Sequence, residues 1–170
     1  MVELTIPPGS GDAILGYVRA KAASWTVAEM LERVRAALTI LEAAAVAVPE
    51  GDLVRVPEGE EWSPLDCVRH VTEINAATAI RCAEAAAPGS GRRVRPANWA
   101  SLSREAALAE HAEALGVAFS RIERAGVDAA TATWPHPFLG ELNWREWLLT
   151  LRVHSLAHAE QLGALANALR

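Results

Sequence analysis

Apart from tryptophan the chain is poor in aromatic residues: six Trp are joined by only two Phe and one Tyr in 170 residues. Lysine is nearly missing, Lys21 being the sole example, so arginine supplies almost all of the 16 basic side chains that face 21 acidic ones. A net charge of −5 carries nothing to attract a phosphate backbone, which argues against nucleic acid as a partner. No apolar stretch approaches the roughly 18 residues of a membrane span, so no membrane partner is expected. Residues 1–10 hold Glu3, Pro7, Pro8 and Gly9 where a signal peptide needs basic residues and then an apolar run, and the expected location is cytoplasmic. Cysteine is also scarce. Cys67 and Cys82, if they share one helix, stand about 22 Å apart at 1.5 Å per residue, beyond disulfide reach, and read as small buried residues of a reducing compartment. A Gly-rich phosphate loop, paired catalytic carboxylates and a serine nucleophile motif are all missing.

What is present points to helices. Hydrophobic residues make up 51% of the chain, enough for one domain with a sizeable core. Alanine supplies about a fifth of all residues, well above ordinary usage, and favours closely packed helices. Four long helices can be read, each opened by capping chemistry. Thr26-Val-Ala-Glu29 is a capping box, followed by Val27, Met30, Leu31, Val34, Leu38, Leu41 and Ala45 at helical spacing and ended by Pro49 and Gly51. Ser63-Pro64-Leu65-Asp66 sets a cap, a proline at the first helical position and a first-turn carboxylate, opening a second helix to about Ala87. Residues 88–100 form a long connection rich in Gly, Pro and Arg. Ser101 or Ser103 then caps a third helix lasting until Gly126. Asn143-Trp-Arg-Glu146 caps the fourth, whose inward stripe runs through Trp144, Trp147, Leu148, Leu151, His154, Ser155, His158, Leu162, Leu165 and Leu169.

A shorter amphipathic piece, Asp12 to Ala23, precedes them. Residues 1–23 thus form an N-terminal extension and 24–170 the bundle, in one domain spanning 1–170. No period-two alternation is sustained, so strands are not expected. Trp25, Trp62 and Leu142 stand just before their caps, placed to staple onto Met30, Cys67 and Trp147, and tryptophan therefore marks helix starts. Of these, Trp62, together with Trp99 and Trp134, is a candidate for a pocket mouth as well as for end-of-bundle packing.

The five histidines carry most of the functional argument. His154 and His158 are four apart on one helix, so both rings project from the same face at a spacing that lets two nitrogens meet one ion. They interrupt an apolar stripe whose neighbours Leu151, Ser155 and Leu162 offer little polar company, and a metal would satisfy them. His70 is the candidate third ligand, about two turns into the second helix on a face shared with Cys67, Val71, Ile74 and Ala77, all expected to look inward. If both helices start at one end of the bundle, the three rings converge at similar depth. Three histidines plus solvent is a catalytic arrangement, since structural zinc sites are closed by four protein ligands. Glu73, one turn beyond His70, is a candidate base or outer partner, and Gln161, one turn beyond His158, a candidate for orienting a ligand or substrate. His111, in the polar run from Arg104 to Glu113, reads as a solvated surface residue, and His136, in Trp134-Pro135-His136-Pro137, as a turn residue. Arg81 and Arg95 read as surface charge or as contacts to an anionic substrate.

Trp62-Ser63-Pro64-Leu65-Asp66-Cys67-Val68-Arg69-His70, then His136-Pro137-Phe138-Leu139-Gly140, then His154-x-x-x-His158-x-x-Gln161, resembles the DinB-like superfamily of bacterial four-helix-bundle metalloproteins over roughly residues 24–170. The resemblance implies His70, His154 and His158 as ligands of a divalent ion such as zinc or nickel. It also implies a homodimer and, among relatives, transferases and isomerases that use low-molecular-weight thiols. The expected fold is all-α, a four-helix bundle with a long crossover and a short N-terminal helix. The leading functional reading is a metal-dependent enzyme acting on a small-molecule substrate as a thiol transferase or hydrolase, with a metal-activated thiol or water as nucleophile. A stress-response or binding module stabilised by the metal is the alternative. A metal-free bundle whose histidines fill the core is the third reading. On residue chemistry alone, three imidazoles suit zinc, nickel, copper or iron.

Overall fold

The computed structural model describes residues 11–89, 98–125 and 132–170. Five α-helices and one hairpin follow in the order α1 (Gly11–Ser24), α2 (Val27–Ala47), α3 (Pro64–Ala86), α4 (Arg104–Ala125), β1 (Thr133–His136), β2 (Gly140–Asn143) and α5 (Trp144–Ala168), with single 3₁₀ turns at Glu50–Asp52 and Trp99–Ser101. The four-helix bundle consists of α2, α3, α4 and α5, as the periodicity predicts. None of the described helices is long and apolar enough to cross a membrane.

The caps do what their side chains allow. Thr26 Oγ1 accepts the N–H of Glu29 at 3.2 Å while Glu29 Oε2 accepts the N–H of Thr26 at 2.8 Å. Ser63 and Asp66 make the same reciprocal pair at the start of α3, and Asn143 and Glu146 at the start of α5. Ser103 rather than Ser101 caps α4, its hydroxyl accepting from Ala106 N at 3.2 Å. These caps matter to the site because they fix where α3 and α5 begin, and so the rotation at which their histidines face inward.

Packing runs α2 on α5, α5 on α3 and α3 on α4, with α2 touching α4 only lightly. The core falls into two apolar clusters. One joins Met30, Leu31 and Val34 to Ala79, Cys82, Phe119, Ile122, Trp144 and Leu148. The other joins Leu41 and Ala45 to Leu65, Cys67, Val68, Val71, Ala107, Leu162 and Leu165. The beginning of α3 thus lies with the end of α5, so these helices run antiparallel. This corrects the expectation that both start at one end of the bundle. The rings still meet, because His70 lies near the beginning of α3 and His158 well along α5. Between the clusters sits a polar layer of Thr72, Asn75 and Ser155 with His154 and His158 beside it.

The short N-terminal helix α1 packs on α5. Arg145 and Arg152 of α5 are buried there, Arg145 donating to the carbonyls of Ala22 and Trp25 and Arg152 to the Tyr17 hydroxyl at 2.7 Å. Their burial gives the first half of α5 a second covered face, beyond the single stripe of the sequence pattern.

Other expectations need correction. Strands are present: β1 and β2 pair antiparallel, Trp134 opposite Leu142 and His136 opposite Gly140. Each has four residues, too short for alternation to register, and Pro135 is tolerated because a two-stranded ribbon leaves one edge free. Gly140 closes the tight loop at φ 75°, in the left-handed region. Ile74 and Ala77 are exposed; the inward face of α3 instead passes through Val68, Thr72, Asn75 and Ala79. His111 is buried, 6% exposed, because its spacing puts it in line with Ala107, Ala114, Leu115 and Ala118. Arg95 and the end of the third helix at Gly126 lie outside the described residues.

Candidate metal centre

His70 from α3 and His154 and His158 from α5 come together, each offering one ring nitrogen within 4.8 Å of the other two. All three rings are half-buried, at the edge of the polar layer. The four-residue spacing on α5 brings the Nε2 atoms of His154 and His158 to 3.0 Å. His70 crosses edge-on to both, its centroid 5.5 Å from His154 and 5.2 Å from His158.

Each α5 histidine is oriented from behind. Asn75 Oδ1 accepts from His154 Nδ1 at 2.9 Å, while Asn75 Nδ2 donates to Ser155 Oγ at 3.0 Å. Gln161 Oε1 accepts from His158 Nδ1 at 2.7 Å and lies 3.5 Å from Cys67 Sγ. With both Nδ1 atoms acting as donors, the lone pairs of the neutral rings are at Nε2, facing one another. Two lone pairs at this distance repel unless a proton or a cation lies between them. Three neutral imidazoles are also a donor set that borderline divalent ions accept, so these residues fit such an ion.

Charge on the rings is disfavoured. Burial, reinforced by His158, His70 and His136, pushes His154 down to about 3. Burial also lowers His70, against an opposing effect of Glu73, and lowers His158, against the hydrogen bond of Gln161. Near neutral pH all three present lone pairs rather than protons. Desolvation and the neighbouring Asp66 push the Cys67 thiol up to about 12, so that side chain is a neutral wall of the site.

Of the other candidates, Gln161 stands directly behind His158, where an orienting group is needed. Glu73 is exposed on α3 and acts on His70 only through its field. Trp62 packs on the site, its ring 4.7 Å from His70 and stacked on His158 at 6.3 Å, whereas Trp134 stacks on Trp147 at 5.5 Å and Trp99 joins the Leu41–Leu165 cluster. Arg81 lies over Trp134, 4.7 Å from the ring centroid, and His111 lies between α2 and α4. Sequence reasoning missed Asn75, although its position seven residues beyond Val68 and four before Ala79 carries the inward spacing of α3.

Residues 30–162 match the family model of the DinB superfamily. A solved crystal structure of TT2238, a four-helix bundle protein, superposes on this chain with a TM-score of 0.58 and 31% identity, covering 82% of this chain and 99% of that one. No curated protein matches.

Proposed function

The chain belongs to the DinB superfamily, and on that premise we propose that it is a divalent-metal protein in which His70, His154 and His158 hold the ion and a small-molecule substrate reaches it. The observation that carries this reading is the 3.0 Å approach of two Nε2 atoms whose opposite nitrogens are both engaged. Zinc and nickel are the favoured ions from the family resemblance, within the set that three imidazoles suit.

When bound, the ion supplies a Lewis-acid charge able to acidify a water or thiol and polarise a carbonyl. The protein's own contribution is positional. Asn75 and Gln161 fix the tautomers and ring planes of His154 and His158. Trp62 covers His70 and His158 with apolar surface, which strengthens electrostatic interactions beneath it. Three protein donors and half-buried rings favour an open position over a closed structural shell, and hence an enzyme of the thiol-transferase or hydrolase type over a module that the metal merely stabilises. A homodimer belongs to the same proposal.

The test is addition of Co(II) to metal-free protein, with absorption spectra before and after a small thiol. An open position predicts a new thiolate-to-cobalt band in the near ultraviolet. A cobalt spectrum indifferent to the thiol, together with marked destabilisation by chelators, would favour the structural module instead.

A further inference from the structure

Behind His158, at the ring nitrogen that does not face His154, lies the thiol of Cys67. This side chain stands one turn before His70 on α3 and is fully buried, with Sγ 3.5 Å from Gln161 Oε1 and 3.5 Å from His158 Nδ1. Gln161 Oε1 and His158 Nδ1 are themselves 2.7 Å apart, so thiol, amide and imidazole close a triangle between α3 and α5. A buried thiol keeps its hydrogen, and the triangle gives that hydrogen an acceptor.

Two hydrogen-bond arrangements compete at this triangle, differing by a half-turn of the amide and the place of one proton. With the Gln161 oxygen toward the ring, His158 carries its proton on Nδ1 and offers a lone pair at Nε2. With the amide NH₂ toward the ring, Nδ1 accepts and the proton moves to Nε2, where it is donated to His154 across 3.0 Å and closes the pair against an ion. The thiol decides between them. An amide oxygen has two lone pairs and accepts both Nδ1–H and S–H, whereas Nδ1 has one, which the amide hydrogen fills, leaving the buried S–H without that acceptor.

We propose that Cys67 is a positioning residue of the metal centre: its S–H, donated to Gln161 Oε1, holds the His158 proton on Nδ1 and so keeps the Nε2 lone pair free for the ion. The proposal rests on the metal reading above. It gives the thiol a part that needs neither ligation nor ionisation, and it makes the orientation of Gln161 depend on a residue of α3 as well as on His158.

The experiment uses the full chain and two readouts: Co(II) affinity by competition with a chromophoric chelator, and the NMR shifts of the His158 ring nitrogens in metal-free protein, which report the tautomer. Cys67→Ala moves the His158 proton toward Nε2 and lowers Co(II) affinity about 2- to 10-fold, the loss expected of one neutral hydrogen bond. Cys67→Ser, which keeps a donor at the same place, restores both readouts toward wild type. A double-mutant cycle separates this effect from packing. Gln161→Glu places a carboxylate behind His158 that can only accept, so in that background the tautomer no longer depends on the thiol and Cys67→Ala costs no further affinity. An equal loss in both backgrounds assigns the effect to the space left by the thiol and overturns the inference, as do His158 shifts that are the same in wild type and Cys67→Ala. Wild type that takes up no Co(II) while its His158 shifts still follow residue 67 overturns the metal reading and upholds the placement of the proton.

Discussion

His154 Nδ1 donates to Asn75 Oδ1 across 2.9 Å, joining α5 to α3 in the middle of the bundle, and Asn75 passes the contact on to Ser155. This fully buried amide chooses which nitrogen of His154 faces His158. Gln161 makes the same choice for His158.

Asn75→Leu and Gln161→Leu should each lower metal affinity by about 10- to 100-fold, the usual effect of losing an orienting partner. Asn75→Leu also leaves the Ser155 hydroxyl unpaired in the core and should cost about 1–3 kcal/mol of metal-free stability. Glu73→Gln, on the exposed face, should change affinity less than about twofold, because a solvated charge contributes little. Competition against a chromophoric chelator measures all three. A Glu73 variant as damaging as the Asn75 variant would show that the Glu73 charge supports the ion as much as the Asn75 hydrogen bond does.

Much of this arrangement is legible in the sequence. The His154 and His158 spacing, the caps at Thr26, Ser63 and Asn143, and the stop at Pro49 each rest on local chemistry, and local chemistry survives folding. What is not legible depends on a neighbour. Asn75 in isolation is a poor helix residue with no evident purpose until Ser155 and His154 stand opposite it. Ile74 and Ala77 share by spacing the His70 face that reads as inward, but α3 is rotated so that Thr72 and Asn75 feed the polar layer. His111 is flanked by Glu110 and Glu113, which makes its segment look solvated, while its spacing from Ala107 and Ala118 turns it inward.

That buried His111 predicts a pH effect. Burial pushes it from 6.5 down to about 4, so the folded chain keeps the ring neutral while the unfolded chain takes a proton first as pH falls. Its share of stability is intact above about pH 6.5 and is lost progressively toward about pH 4, to an extent of order 3 kcal/mol. His111→Leu should flatten this part of the stability curve of the metal-free protein. At pH 7 it should be neutral or stabilising, since His111 Nε2 is buried with no hydrogen-bond partner among the described residues. Urea unfolding of both proteins from pH 4 to pH 8 gives the two curves.

The cap of α3 links stability to the site. Ser63→Ala removes the oxygen that accepts Asp66 N–H at 3.2 Å and leaves the Asp66 carboxylate without its hydroxyl partner. A cost of about 1 kcal/mol is expected by denaturant unfolding. Fraying of the first turn also loosens the helix carrying His70, so metal affinity should fall in this variant and stay near wild type in Thr26→Ala, whose cap opens α2, a helix without a ligand. Equal affinity in both variants would show that the start of α3 does not position His70.

The central claim is that three histidines from two antiparallel helices form a metal site. Elemental analysis after reconstitution and desalting tests it most directly, comparing wild type with the His154→Ala, His158→Ala double variant. The account predicts about one equivalent of divalent metal per wild-type chain and almost none in the double variant, as expected when two of three donors are removed. Less than about a tenth of an equivalent in wild type, or equal metal in the two proteins, would contradict it.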